Sequence, residues 1–379
     1  MPAERRRALR AFACAEPPRL LSDGAPALLD LASNDYLGLS RDPAVLEAAA
    51  AELRLSGLGA GASRLICGTR PVHLRLEQAL AAWLGRQRVL LFPSGFQANL
   101  AAVAALADRH TLVLADRLIH HSLLVGVRAC GARLQRFAHN DAADLDCRLQ
   151  AARRQRPGAP LLVLCESLYS MEGSSPALEE MAALCLSHGV PLLVDEAHAL
   201  GLLGTDGRGL AHGLSGVAMV CGTFGKAFGS GGAFLAVDEP LGEWLLQSSG
   251  AFRYTTALAP SLAAGALAAL ERIQADPGAA AALLERAARW REALAAAGWP
   301  RPPGTGPILS LELGDDRLAL EAQRKLEAAG LLTVAIRPPT VPEGRARLRL
   351  VLRRELPAGT LTRLMQALGP GPGLVAAGG

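Results

Sequence analysis

The sequence predicts an α/β protein in which a large, mainly parallel sheet of seven strands is followed by a smaller α+β domain. From residue 87 to 236, short apolar runs alternate with amphipathic helical stretches, which is typical of βαβ units. Near residue 260 the pattern changes to alanine-rich helical segments, which are followed by a proline-rich loop and a few short strands. A chain of 379 residues is also long for a single core, which favours two domains.

Seven apolar runs predict the strands of the large sheet. They read RVLLF, TLVLA, RLQRF, PLLVLCES, PLLVDEA, VAMVCGT and AFLAV. Helical patterns such as GFQANLAAVAALA and PALEEMAALCLSHG lie between them. The second of these closes at Gly189 with Pro191 just beyond it, which is the expected signal for the end of a helix. The alternation therefore predicts a wide open sheet.

The carboxyl-terminal part of the chain predicts the smaller domain. Two alanine-rich helices are followed by the strand PILSLELG, the helix LALEAQRKLEAAG, and strands around LLTVAIR and RARLRLVL. We expect four regions, namely an amino-terminal segment that packs with the small domain (1–40), the large α/β domain (41–255), the small α+β domain (256–370) and a flexible tail (371–379).

Composition excludes several classes of function. A net charge of +4 and only 4% aromatic residues give little support for a nucleic-acid surface. No apolar run approaches the length of a membrane span, and the amino terminus lacks the apolar stretch of a secretory signal. The seven cysteines are scattered singly, without C-x-x-C pairs or zinc spacing, so we expect no metal site and reduced thiols in the cytoplasm.

One lysine stands out in the segment CGTFGKAFGSGGA. Of the 39 basic residues, only Lys226 and Lys325 are lysines, and all the others are arginines. A lysine amine can lose its proton and attack a carbonyl, whereas a guanidinium stays charged. The small and apolar neighbours of Lys226 suit an amine that is partly removed from water. An ordinary loop lysine is the alternative for this stretch taken alone.

Further polar groups follow neighbouring strands of the predicted sheet. Asp195 and His198 close the run LLVDEAH, and Lys226 follows VAMVCGT. In an open α/β sheet, ligands bind beyond the carboxyl ends of the strands. An apolar strand that ends in an acid is costly unless the acid meets a cation there. A structural hydrogen bond at the strand end is the alternative for DEAH alone.

A lysine that forms Schiff bases, beside an aspartate at a strand end, matches the needs of pyridoxal 5′-phosphate (PLP). The aspartate would keep the pyridine nitrogen protonated, so that the ring accepts electrons from a substrate carbanion. The phosphate needs backbone N–H groups at a helix start, which Gly95 and Phe96 supply in PSGFQAN. Thr223 can add a hydroxyl. Together these groups predict a PLP site.

Two nucleotide-binding motifs are excluded. A P-loop requires Ser or Thr after Gly-Lys, but Ala227 follows Lys226, and the first motif position is occupied by Val220. A dinucleotide fingerprint lies between the first strand and helix of a βαβ unit, whereas GSGGA lies late in the sheet and leads directly into a strand.

Ordered motifs over nearly the whole chain resemble the α-oxoamine synthases, a family of fold-type I PLP enzymes. They are SNDYLGLS, GAGASRLICGT, HLRLE, DRLIHHSL, ESLYSMEGS, VDEAHALGLLG and GTFGKAFG. This family condenses an amino acid with an acyl thioester and releases carbon dioxide. Within it, IRPPTVPEGRARLRL is most similar to the branch of biotin synthesis, which implies L-alanine and a pimeloyl thioester as substrates.

The resemblance also implies roles for individual residues around the cofactor. Lys226 would bind the cofactor and remove the alanine α-proton, Asp195 would pair with the pyridine nitrogen, and His120 would stack on the ring and form a wall of the acyl pocket. The phenolic oxygen would be contacted by His198 and Ser170. The phosphate contacts would be Gly95, Phe96 and Thr223, with Thr256 reaching across the interface of a homodimer.

The substrate contacts follow from the same resemblance. Arg337 and Asn34 would bind the carboxylate of the amino acid, because a guanidinium can bind a carboxylate in a bidentate manner. Thr340 and Arg10 resemble the contacts of the family with its acyl substrate. Two alternatives stay open, namely a sister enzyme that uses glycine with acetyl-CoA or succinyl-CoA, and an inactive homologue that serves as a partner subunit.

Overall fold

The structure is a computed structural model that describes residues 3–22 and 26–371. The strands are β1 Ala13–Cys14, β2 Arg19–Leu21, β3 Leu28–Asp30, β4 Arg88–Phe92, β5 Leu112–Asp116, β6 Arg133–Phe137, β7 Leu161–Glu166, β8 Leu192–Asp195, β9 Val217–Thr223, β10 Ala233–Val237, β11 Ile308–Gly314, β12 Leu331–Leu332, β13 Val334–Ile336 and β14 Ala346–Val351. The helices are α1 Pro43–Ser56, α2 Pro71–Leu84, α3 Gly95–Leu106, α4 His121–Ala129, α5 Ala142–Gln155, α6 Leu178–Ser187, α7 Glu239–Ser248, α8 Gly250–Arg253, α9 Pro260–Ala275, α10 Pro277–Ala296, α11 Asp316–Ala328 and α12 Thr360–Leu368.

These elements form two compact units. The large unit comprises Leu39–Tyr169 and Ser175–Pro277, and the small unit comprises the described parts of Met1–Gly38, Ser170–Ser174 and Gly278–Gly379. The domain ranges predicted from the sequence stay predictions. Helix α9, which the sequence analysis assigned to the smaller domain, packs on α1 and α2 within the large unit. Apart from Gly371, the tail predicted over 371–379 lies outside the described residues.

The large unit contains a seven-stranded sheet in the order β4-β10-β9-β8-β7-β5-β6. Strand β10 is antiparallel to both of its neighbours, and the other paired strands are parallel. All seven strands predicted from apolar runs belong to this sheet, which confirms the predicted fold class. Strands β7, β8 and β10 are buried along their whole length, because helices cover both faces of a sheet of this kind.

The core of the large unit lies between the sheet and its helices. Apolar side chains of β4, β5, β9 and β10 pack there against side chains of α3, α4, α7 and α8. Phe92 and Phe252 meet edge to face with their ring centroids 5.5 Å apart. Burial of this kind contributes on the order of 2 kcal/mol per large apolar side chain. The packing therefore holds the carboxyl ends of the strands in a fixed arrangement.

The small unit contains two sheets. One has the order β1-β2-β3-β12 and is built mainly from the amino-terminal segment, whose strands the sequence analysis did not predict. The other has the order β11-β14-β13 and packs against α11 through a cluster of Ala319, Ala335 and Ala346. Among the described residues, no helix is both long enough and apolar enough to cross a membrane.

Candidate active site

A pocket of about 180 Å³ opens at the carboxyl ends of strands in the large unit. Its walls are formed by Gly95, Phe96, Asn99, His120, Glu166, Asp195, Ala197, His198, Cys221, Thr223 and Lys226. Strands β4, β5, β7, β8 and β9 all run toward it, since the residues that line it belong to these strands or to the loops and helices that directly follow them. This is the edge at which an open α/β sheet binds ligands.

Lys226 is presented by a tight loop after β9. Phe224 and Phe228 on either side of it are fully buried and anchor the loop in the core. Gly229 N–H donates to the Lys226 carbonyl oxygen at 2.9 Å and closes the turn. Gly229 has a φ of +61°, and a Cβ at this position would lie 2.0 Å from the backbone nitrogen of Ser40, so only glycine fits. The half-buried Lys226 side chain is thereby directed by a fixed backbone.

Asp195 ends strand β8 and is 5% exposed. One of its carboxylate oxygens accepts a hydrogen bond from the backbone N–H of Ala197 at 2.9 Å, and the other accepts from Asn99 Nδ2 at 2.6 Å. Each oxygen of this buried carboxylate therefore has a hydrogen-bond donor. The acid is therefore equipped to stabilise a positive charge in the pocket.

His120 caps the amino end of α4, and its Nδ1 lies 2.7 Å from Ser122 Oγ and 3.4 Å from the Ser122 backbone nitrogen. Burial lowers the pKa of His120, the charges of Lys226 and His121 lower it further, and Asp195 partly offsets these effects. A neutral imidazole ring at this place forms a flat wall of the pocket.

The amino terminus of α3 forms another wall. Ser94 caps the helix by accepting a hydrogen bond from Gln97 N–H at 3.3 Å, and Gly95 and Phe96 begin it. The first backbone N–H groups of a helix have no partner within the helix and attract anions. Thr223 Oγ1 lies 3.7 Å from the point that a Cβ on Gly95 would occupy, so a hydroxyl lies beside these donors. An anionic group such as a phosphate fits this corner.

These residues suit PLP. An amine that can bind an aldehyde, a carboxylate that can pair with a pyridinium and a helix start that can hold a phosphate all line one pocket. Within 3–22 and 26–371, no group of three or more His, Cys, Asp or Glu side chains is arranged to hold a metal ion.

Thr256 lies apart from this lining. It is exposed, and it forms an isolated antiparallel bridge with Ser63. Its role across a dimer interface stays a prediction.

The predicted substrate contacts, together with Ser170, belong to the small unit. Arg349 Nη2 donates to Asn34 Oδ1 at 2.8 Å, and Arg349 Nε donates to the Ser170 carbonyl oxygen at 2.6 Å. Arg337 Nη1 donates to the carbonyl oxygen of Glu4, while its buried Nε has no hydrogen-bond partner among the described residues. The arginine beside Asn34 is therefore Arg349, whereas the sequence analysis paired Asn34 with Arg337.

A similar difference concerns the predicted acyl contacts. Arg7 Nη2 donates to Thr340 Oγ1 at 3.1 Å. Arg10, which the sequence analysis grouped with Thr340, forms an ion pair with Glu327 at 2.7 Å and lies over the Phe12 ring. Burial lowers the pKa of Arg337, and the nearby positive charge of Arg7 lowers it further. Arg7 is thus the guanidinium that contacts Thr340.

Several residues of the pocket were not predicted from the sequence, and two of them, Glu166 and Asn99, carry polar groups that can take part in chemistry. Glu166 ends β7 as Asp195 ends β8, so the argument from an acid at a strand end would have found it. Asn99 lies one helical turn after Gly95 in the segment PSGFQAN, and its spacing of four residues was the available signal. Outside the pocket, Arg349 was also missed; it alternates with leucines in β14, as Arg347 does, and charged residues within a buried strand signal buried cations.

Comparison with known proteins places the chain among PLP enzymes. Residues 26–368 match the family of class I and II aminotransferases. An 8-amino-7-oxononanoate synthase from Chromohalobacter salexigens is 43% identical over 351 residues, which cover 92% of this chain and 90% of the relative. The fold is similar to that of an 8-amino-7-oxononanoate synthase from Francisella tularensis, with a TM-score of 0.76, 28% identity and coverage of 90% and 96% of the two chains.

A second solved structure shows a cofactor. Serine palmitoyltransferase from S. paucimobilis, solved with a bound adduct of PLP and myriocin, has a TM-score of 0.89 and 29% identity to this chain. The match covers 94% of this chain and 91% of that protein.

Proposed function

The chain belongs to the class I and II aminotransferase family of PLP-dependent enzymes, and on this basis we propose that it is an 8-amino-7-oxononanoate synthase. This activity is the decarboxylative condensation of L-alanine with a pimeloyl thioester in biotin synthesis. The observation that carries the proposal is a pocket that joins Lys226, Asp195 and the start of α3, in a chain 43% identical over 92% of its length to a synthase of that name.

When bound, PLP supplies an electron sink for a carbanion at the α-carbon of alanine. Lys226 would hold the aldehyde of the cofactor, and its amine is the group able to take the α-proton, because an amine can be neutral whereas a guanidinium cannot. Asp195 would keep the pyridine nitrogen protonated through its buried charge. His120 would press its ring against the cofactor and separate the acyl chain from water.

The remaining contacts would hold the cofactor in place. Gly95 and Phe96 N–H groups and the Thr223 hydroxyl would bind the phosphate, with the partner subunit's Thr256 as a further contact. His198 and Ser170 would hydrogen-bond around the phenolic oxygen. These roles are supported by the pocket lining for the residues of the large unit and by the sequence resemblance for Ser170 and Thr256.

For the carboxylate of alanine, we propose Arg349 together with Asn34. Arg349 is only 6% exposed and is already hydrogen-bonded to Asn34, whereas Arg337 is bound to the backbone of Glu4. A buried guanidinium that presents a planar pair of donors binds a carboxylate in one orientation. That orientation decides which bond of the α-carbon is broken.

Two variants with matched chemistry test this assignment. Arg349→Lys should raise KM for L-alanine by about tenfold or more, because an ammonium cannot form the bidentate pair. Arg337→Lys should change KM for L-alanine less than threefold. Steady-state kinetics at saturating thioester measures both values. A larger effect on alanine KM in Arg337→Lys than in Arg349→Lys would contradict the assignment.

We also propose a homodimer. Five apolar side chains between residues 55 and 74 stay exposed in the single chain, namely Leu55, Leu58, Leu65, Ile66 and Leu74. Exposed apolar side chains concentrated in one region favour an interface. Location in the cytoplasm, which the single cysteines favour, stays a prediction.

A substrate panel tests the function. Purified protein is incubated with L-alanine or glycine against pimeloyl-CoA, pimeloyl carrier protein, acetyl-CoA and succinyl-CoA, and the product is weighed by mass spectrometry. We expect 8-amino-7-oxononanoate from L-alanine with a pimeloyl donor. Product only from glycine would assign a sister α-oxoamine synthase, and no product together with no visible cofactor absorption would favour an inactive partner subunit.

A further inference from the structure

Four polar side chains of the large unit form a continuous line of hydrogen bonds along the wall of the pocket. Asn99 Nδ2 lies 2.6 Å from Asp195 Oδ2 and 3.0 Å from Ser122 Oγ. Ser122 Oγ lies 2.7 Å from His120 Nδ1. The line therefore connects the acid of the pocket to its histidine through two residues with no role in the mechanism above.

The direction of each hydrogen bond follows from the chemistry of the groups. An ionised carboxylate only accepts, so the amide nitrogen of Asn99, rather than its oxygen, must face Asp195. The second hydrogen of that nitrogen is donated to Ser122 Oγ. Because Ser122 Oγ accepts there, its single hydrogen is available to His120 Nδ1.

The backbone supports the same direction independently. The N–H of Ser122 also points at His120 Nδ1, at 3.4 Å, as the cap of α4. Two donors that face one ring nitrogen require that this nitrogen carries no proton. The proton of a neutral His120 ring is then on Nε2.

The two middle residues of this line, Asn99 and Ser122, are buried away from solvent. Asn99 is 2% exposed and Ser122 is fully buried. Asn99 Oδ1 has no hydrogen-bond partner among the described residues, although both hydrogens of its nitrogen are used. A buried acceptor without a partner is unfavourable. The two hydrogen bonds that its nitrogen donates, to Asp195 and Ser122, explain why an asparagine occupies this position.

We infer that Asn99 and Ser122 are positioning residues that couple the negative charge of Asp195 to the tautomer of His120. Asn99 holds the carboxylate as an acceptor toward the pyridine nitrogen, and Ser122 holds the imidazole with its proton on Nε2. The catalytic meaning of this coupling rests on the proposed function, whereas the tautomer is a property of the chain itself.

The line also opposes protonation of His120. A proton on Nδ1 would meet the hydrogens of both Ser122 donors, so the hydroxyl would have to turn away inside a buried site. Among the charged groups around the ring, Lys226 and His121 oppose protonation and Asp195 favours it. Glu166, His198 and Cys221 are the other titratable side chains among the residues that line the pocket.

Nuclear magnetic resonance of the full-length holoenzyme labelled with ¹⁵N-histidine tests the tautomer directly. The His120 signals are assigned by their loss in His120→Asn. At neutral pH we expect an unprotonated Nδ1 and a protonated Nε2. Ser122→Ala should bring the shifts of the two ring nitrogens closer together and move the titration midpoint of His120 to higher pH. A protonated Nδ1 in the wild type at neutral pH would overturn the inference.

Asn99→Leu tests the coupling from its other end. Asn99 has no hydrogen bond to His120, yet its loss should reduce the Nε2-protonated fraction of that ring, because Ser122 is then free to rotate. The dissociation constant of PLP should rise about tenfold, since a charge-assisted hydrogen bond to Asp195 is lost. Unchanged His120 shifts and unchanged PLP affinity in a folded Asn99→Leu protein would refute a positioning role.

Ser249→Ala serves as the matched control. Ser249 is 6% exposed, and among the described residues its hydroxyl has no hydrogen-bond partner. This variant should leave the His120 shifts and the PLP affinity as in the wild type. If the substrate panel yields no product while the predicted tautomer is found, the proposed function fails and the hydrogen-bond line stands.

Discussion

At the scale of single residues, a substitution of Lys226 can distinguish the role of its positive charge from the role of its nucleophilic amine. Lys226→Arg keeps a cation in the pocket but removes the only amine among its lining residues, so we expect loss of PLP-dependent product formation. Borohydride reduction followed by peptide mapping should label Lys226 in the wild type and give no label in the variant. Lys325→Arg in α11 is the matched control and should retain activity. Equal turnover by Lys226→Arg and wild type would exclude the assignment.

Glu196 makes a second prediction at the residue scale. It is fully buried, and burial raises its pKa from 4.5 to about 7, although Ser167 Oγ donates to it at 2.7 Å and Ala211 N–H donates at 2.5 Å. The folded state thus binds a proton that the unfolded state releases above pH 4.5. The stabilisation of the folded state by this bound proton is fully present below about pH 4.5, and it is lost as the pH rises through about 7.

Glu196→Gln should remove this part of the pH dependence. A glutamine oxygen can accept from Ala211 N–H, and its amide can donate to Ser167 Oγ, so the site stays satisfied. The free energy of unfolding of the wild type should fall relative to the variant by up to about 3 kcal/mol between pH 4.5 and 7. Urea denaturation at several pH values measures the difference. Parallel pH profiles of the two proteins would show that Glu196 does not titrate there.

At the scale of elements, strand β14 and the residues just after it tie the small unit together. Arg353 donates to Asp30 at 2.5 Å, to Asp35 at 3.0 Å and to Glu355 at 2.8 Å, while Arg347 in the strand pairs with Glu172 at 3.1 Å. Removal of one partner of a buried pair leaves uncompensated charge. The turn that carries Asn34 lies between the two aspartates that Arg353 holds.

Arg353→Met should therefore destabilise the protein by about 3–5 kcal/mol, because Asp30 is buried and would lose its cation. Arg345→Met, at the residue just before β14, is the control. Arg345 is mostly exposed and pairs with Glu312 at 3.0 Å, so its loss should cost about 1 kcal/mol or less. Thermal and urea unfolding compare the two variants. Equal losses would show that burial of the Arg353 cluster contributes little.

At the scale of the whole molecule, the exposed apolar side chains of the large unit predict self-association. Ile66 is 79% exposed and Leu58 is 84% exposed. Ile66→Asp with Leu58→Asp should weaken a dimer by at least about tenfold, because each carboxylate would be buried on association. Sedimentation velocity measures the change. Leu186→Asp, on α6 and 59% exposed, is the control. A wild-type protein that stays monomeric at micromolar concentration would contradict the prediction.

The sequence alone determined the seven strands of the large sheet and the position of Asp195 and Lys226 at its carboxyl edge. Each of these features is local, since an apolar run, a strand end and the residue that follows it are read within about ten residues. The family was likewise determined by ordered motifs, each of which is a short contiguous stretch.

Only the tertiary structure decided which distant side chains meet. Asn34 and Arg349 are 315 residues apart in the chain, and Asn99 and Asp195 are 96 apart. Arg7 rather than Arg10 lies beside Thr340 for the same reason. Spacing along the chain specifies the face of a helix or strand, but a hydrogen bond between elements depends on their packing, which no local pattern records.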